Sequence, residues 1–186
     1  MPQNKAQRAL FALLTVVITV HAYVFYSLYV VNGSALMSAN EATSVLEAIA
    51  RQGGVMLCGR MVPIRAVVLT EFILAYALEL TVGSPLSFRL ASRCFAPRTT
   101  HPVLFETAII SATVGIMCPA MSLIASALYY PYYLGFHPIT LLASWLKLMC
   151  FNFPFAWFIQ VFMIQPLVRT LFRALMGRRT APVAQG

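Results

Sequence analysis

Two carboxylates stand eight residues apart in an apolar stretch, Glu71 and Glu79. On a helix that spacing places them about 80° apart around the axis and about 12 Å apart along it, with Ala75 between them. An ionisable group inside a bilayer costs ~2.5–3.5 kcal/mol on the insertion scale, so such residues call for a reason. A small residue flanked by two carboxyls lets another helix approach closely. A carboxyl at that depth can also exchange a proton with whatever crosses beside it. His21 is the third titratable group at comparable depth. Asn152 and Gln160 stand in the corresponding places of a later segment and offer hydrogen bonds without charge. The expected polar membrane site is therefore Glu79, Glu71, His21, Gln160 and Asn152. Glu79 is the first choice for a proton-linked group and His21 its candidate partner.

The elements that must carry these residues follow from composition. Sixty per cent of the 186 residues are hydrophobic and 10% are charged, with a net charge of +8. So few charges cannot cover a soluble domain, which averages ~25% charged residues. Residues 9–40, 107–146 and 148–168 contain no Asp, Glu, Lys or Arg. A helical span needs ~20 apolar residues. Four transmembrane helices are expected, at about 9–31, 63–84, 104–128 and 142–168, giving an all-α membrane protein. Lys5 and Arg8 before an apolar run resemble a secretory signal, but residues 9–31 outrun its usual apolar core. Ser38-Ala-Asn-Glu41 reads as a capping box, with Gly53-Gly54 as the stop. That predicts a short amphipathic helix on the outer surface. Tyr129, Tyr130, Tyr132, Tyr133 and Phe136 read as an interfacial aromatic belt. Gly33-Ser34 and Gly83-Ser84 read as helix-end turns.

Basic residues set the orientation. Lys5, Arg8, Arg89, Arg93, Arg98, Arg169, Arg173, Arg178 and Arg179 fall on one side, nine of the 13. Arg51, Arg60, Arg65 and Lys147 fall on the other. Both termini are expected in the cytoplasm, with the basic side on anionic lipid head groups. No nucleic-acid partner is expected. A homo-oligomer or a membrane partner remains open.

The chain also repeats itself. Glu71-Phe-Ile-Leu-Ala-Tyr-Ala-Leu-Glu79 aligns without a gap on Asn152-Phe-Pro-Phe-Ala-Trp-Phe-Ile-Gln160, at an offset of 81. Thr15-Val16, Ile18 and Ala22 align on Thr113-Val114, Ile116 and Ala120, at an offset of 98. Two-span units return the chain to its starting side, so the halves 1–93 and 94–186 run parallel about a pseudo-twofold along the membrane normal. Helices two and four are expected to meet across that axis through Ala75 and Ala156, with Tyr76 and Trp157 beside the seam.

Pro2-x-Asn4-Lys5, Pro119-Ala-Met-Ser-Leu-Ile-Ala125, Asn152-Phe-Pro154 and Pro166-Leu-Val-Arg169 carry a resemblance. The chain resembles a bacterial membrane family known as domain of unknown function 2798, over nearly its whole length as two tandem copies. The resemblance implies a small integral protein of a bacterial inner membrane. It supplies no substrate, cofactor or catalytic residue.

The four cysteines form no Cys-x-x-Cys pair, and no phosphate loop or nucleophile elbow occurs. No cofactor or metal is expected, and an enzyme is not. The expected function is a proton-linked transporter or efflux component for a hydrophobic or cationic compound. The alternative is a scaffold or interaction subunit whose polar residues only hold helices together.

Overall fold

The computed structural model describes residues 4–97 and 99–177. Pro2, Arg98, Arg178 and Arg179, which entered the sequence reading, lie outside the described residues. Four helices are long and apolar enough to cross a membrane: Lys5–Val31, Ile64–Cys94, Pro102–Leu128 and Pro138–Met176. They run up and down, so the start of the first span and the finish of the fourth share one end, here the terminal end. The opposite end, the loop end, carries residues 32–63 and 129–137.

The spans are longer than expected, and Gly83-Ser84 is no helix-end turn. The second span passes through a π-helical segment at Glu79–Gly83 and continues as Ser84–Cys94. The fourth passes through one at Gln160–Ile164 and continues as Gln165–Gly177. Each wide turn is followed one residue later by a proline, Pro85 or Pro166. A proline has no N–H to donate and its ring crowds the carbonyl one turn back. The wider turn accommodates both problems, with Ser84 N–H bonded five residues back to Glu79 O and Gln165 N–H to Gln160 O.

Packing alternates between the two ends. Near the loop end the first span packs on the second and the third on the fourth. Near the terminal end the first span packs on Gln165–Gly177 and the third on Ser84–Cys94. The second and fourth spans thus change neighbours at their π segments. Two small cores result. One joins Val16, Val20 and Ala75; the other joins Val114, Cys118 and Ala156. Ala75 and Ala156 are therefore buried against the first and third spans. They do not form the seam expected between the second and fourth. Tyr76 reaches the carbonyl of Ala9 at 3.4 Å, and Trp157 Nε1 donates to Ser111 Oγ at 3.0 Å. An alanine accepts the nearest helix, and here the tilted odd-numbered spans are nearer.

At the loop end a short helix runs over Val45–Gln52, with Val45 and Ala48 buried. Its cap differs from the expected one. Ser38 lies within a preceding helix, Gly33–Ala39, so the Gly33-Ser34 pair opens a helix and does not end a span in a turn. The box is instead Ser44 with Glu47: Ser44 Oγ accepts from Glu47 N at 3.2 Å, while Glu47 accepts from Thr43 N and Oγ1. Gly53, at φ 75°, ends the helix as expected. A hairpin that the sequence reading missed pairs Val55–Leu57 with Arg60–Val62. Its two-residue turn, Cys58-Gly59, has positive φ at both residues. Cys58 N–H donates to Leu128 O at 2.8 Å, tying the hairpin tip to the third span.

Glu47 gives a pH prediction. Hydrogen bonds from Thr43 and the nearby Arg51 guanidinium hold its carboxyl below the ordinary carboxylate value. A depressed pKa stabilises the fold above the unfolded value, and that contribution is lost as pH falls through the folded one. A spin label at the exposed Leu46 is expected to gain mobility on acidification below the carboxylate range. In Glu47→Gln its mobility should not respond to pH; a response as large as wild type would refute this origin.

Candidate transmembrane cavity

A cavity of about 1380 Å³ lies between the four spans. Its depth can be set from the two cores, centred near Ile18 and Ile116. From there Arg8 and Glu106 lie about 15 Å toward the terminal end, and Lys147 about 14 Å from Ala156 toward the loop end. These charges bracket ~30 Å, the hydrocarbon thickness. The cavity lining includes Arg8, Arg169 and Arg173 at one mouth and Tyr129, Pro131 and Lys147 at the other. It therefore extends along the spans for the ~30 Å of a hydrocarbon layer.

Both glutamates line it. Each stands four residues from Ala75, about 6 Å on either side of the middle. Glu71 and Glu79 thus flank Ala75 on the loop side and the terminal side. Ser84 Oγ donates to Glu79 Oε1 at 2.7 Å, across the π segment. Gly83, buried in the same turn, makes that approach possible: a Cβ there would stand 2.5 Å from Glu79 Oε2 and 2.9 Å from Met117 Sδ. Glu71 accepts from the hydroxyl of Tyr129 at the far end of the third span. Arg65, on the same span, is not paired with Glu71. Among the described residues the ion pairs are Glu47–Arg51 and Glu106–Arg169.

The two amides also line the cavity. Gln160 Nε2 donates to Thr19 Oγ1 at 2.8 Å, joining the fourth span to the first. The backbone carbonyl of Asn152 accepts from Tyr23 OH at 3.4 Å. Four of the five expected site residues thus share one cavity.

His21 does not. Its Nδ1 turns back to Val17 O at 2.7 Å, and the ring is exposed beside Arg65 and Phe72 on the outside of the bundle. The stripe of small and polar residues on the same helix, with Ala12, Thr15 and Thr19, faces the cavity instead. His21 is on the other side, and its proposed contact with a glutamate is withdrawn. Among the described residues no group of three His, Cys, Asp or Glu side chains gathers as a metal site would require.

The sequence reading missed Tyr129, Ser84, Thr19 and the Glu106–Arg169 pair. Tyr129 had been read as belt, yet it is the donor to Glu71. Tyr130 is buried, and its hydroxyl accepts from His137 N at 2.8 Å.

The segment of the third and fourth spans carries the comparison that matters. Residues 104–176 match DUF2798, a domain of unknown function. The match covers the third span almost entire and the fourth as far as Met176. No curated protein matches the chain, and no solved structure does. The DUF2798 segment contributes Asn152, Gln160 and Tyr129 to the cavity, whereas both mid-membrane glutamates come from the half outside the match.

Proposed function

We propose that this protein is a small proton-linked transporter of a bacterial inner membrane, moving a hydrophobic or cationic compound through the cavity between its four spans. The observation that carries the reading is a cavity extending along the spans with Glu71 and Glu79 in its wall. The mostly apolar surface of its wall suits an apolar body, and a carboxylate suits a positive charge on it. We read it as a carrier and not as an enzyme. The test is ethidium, a lipophilic cation, in intact cells. Cells making the protein should accumulate less than cells without it; equal accumulation would favour the scaffold reading.

We further read the chain as two parallel two-span repeats, 1–93 and 94–186. The cores support this. Val16 and Val20 correspond to Val114 and Cys118 at the offset of 98, and Ala75 to Ala156 at 81. Tyr23 packs on the second core, while Met121, its counterpart at 98, packs on the first. The π segments at Glu79 and Gln160 also begin 81 residues apart. The helix at Val45–Gln52 is read as lying amphipathically on the outer surface.

The terminal end is assigned to the cytoplasm. Lys5, Arg8, Arg89, Arg93, Arg169 and Arg173 support that side, against Arg51, Arg60, Arg65 and Lys147 at the loop end. A membrane-impermeant thiol reagent should label a single cysteine at Arg60 in intact cells and leave one at Arg93 untouched. The reverse pattern would invert the assignment.

A further inference from the structure

At the terminal mouth of the cavity three arginines line one opening, and their charges are unequally matched. Arg169 is bonded to Glu106. Arg173 donates only Nε, to Arg169 O one turn back at 3.4 Å. The guanidinium of Arg8 has no hydrogen bond or ion pair among the described residues. Arg8 and Arg173 are brought to the same opening by Phe11 and Phe172, whose rings meet edge to face at 5.6 Å between the first and fourth spans. Two positive charges therefore stand at this mouth without an ion-pair partner among the described residues.

The opening is at lipid headgroup depth, about 15 Å from the bundle centre. Above it the wall continues through Ala12, Val16 and Ile110, with Thr15 and Ser87 among them and Glu79 farther in. The cavity, at about 1380 Å³, exceeds the ~300–1,000 Å³ usual for small-molecule pockets. A guanidinium fork matches phosphate oxygens in pairs. We propose that Arg8 and Arg173 bind the phosphate of an anionic phospholipid at this mouth, with one acyl chain lying in the cavity. A bilayer lipid fits better than a soluble phosphate, because the site joins charge at headgroup depth to a cavity whose wall is mostly apolar in surface. This site does not depend on the transport reading, since it concerns occupancy and not movement.

Native mass spectrometry of the purified protein with added phosphatidylglycerol tests it. Arg8→Lys with Arg173→Lys keeps the charge that sets topology and removes the fork geometry. Its retention of one lipid should be about tenfold weaker than wild type, which corresponds to ~1.4 kcal/mol. Arg89→Lys with Arg93→Lys is the control, because those residues sit at the same end but off the cavity wall. It should bind as wild type does. Millimolar inorganic phosphate should not displace the lipid, and phosphatidylcholine should be retained less. An unchanged thermal midpoint shows that the first variant is folded. The proposal is overturned if wild type retains no lipid, if both variants lose it equally or neither does, if phosphatidylcholine binds equally, or if inorganic phosphate displaces the lipid.

Discussion

Replacing Gly83 by alanine is expected to disable the carboxyl of Glu79 while leaving the bundle folded. The added Cβ would stand 2.5 Å from Glu79 Oε2 and 2.9 Å from Met117 Sδ. Both are ends of flexible side chains, so they can move. The carboxyl must shift by about 1 Å, and a displacement of that size at a reacting group can cost 10²-fold. It also leaves the bond from Ser84, worth about 1 kcal/mol net. Alanine in a helix regains about 1 kcal/mol over glycine. Stability should therefore stay within about 1 kcal/mol of wild type, while ethidium accumulation rises to the level of cells lacking the protein. A folded Gly83→Ala protein that keeps accumulation low would show that the position of Glu79 is unimportant.

The same turn shows what was legible in the sequence and what was not. Four apolar runs fixed the spans, because lipid leaves an unbroken apolar stretch no alternative to a helix. The second and fourth spans run farther toward the terminal end than the sequence suggested. Gly83-Ser84-Pro85 has the composition of a helix stop, and only the backbone shows the π turn that carries the helix through it. The polar face of the second span was legible from the spacing of Glu71 and Glu79. Its partners were not, since Tyr129 is 58 residues from Glu71 and meets it only once the spans are packed. His21 was misplaced for a different reason. At the offset of 98 it aligns on Pro119, which lies against the fourth span, its carbonyl accepting from Trp145 Nε1 at 2.9 Å. Aligned backbones do not give aligned side-chain surroundings. The hairpin at 55–62 was hidden because each strand has three residues, too few for alternation to register.

Loss of the titrating group at Glu79 should have the largest effect of any single change. Glu79→Gln keeps the shape and hydrogen-bonding capacity of the side chain and matches Gln160, which opens the π segment of the fourth span as Glu79 opens that of the second. Glutamine can still accept from Ser84, so the protein should insert and unfold as wild type does. What it lacks is the proton. A positioned proton-transfer group contributes typically 10²–10⁴-fold, so a loss of roughly 10² or more is expected.

The most direct measurement follows ethidium and protons together in vesicles reconstituted with purified protein and containing a trapped pH-sensitive dye. In wild-type vesicles, ethidium movement down its gradient should drive protons the opposite way. Glu79→Gln vesicles with the same protein content should move neither above the rate of protein-free vesicles. Wild-type rates of both in Glu79→Gln would contradict a proton-linked role for this carboxyl in the cavity wall.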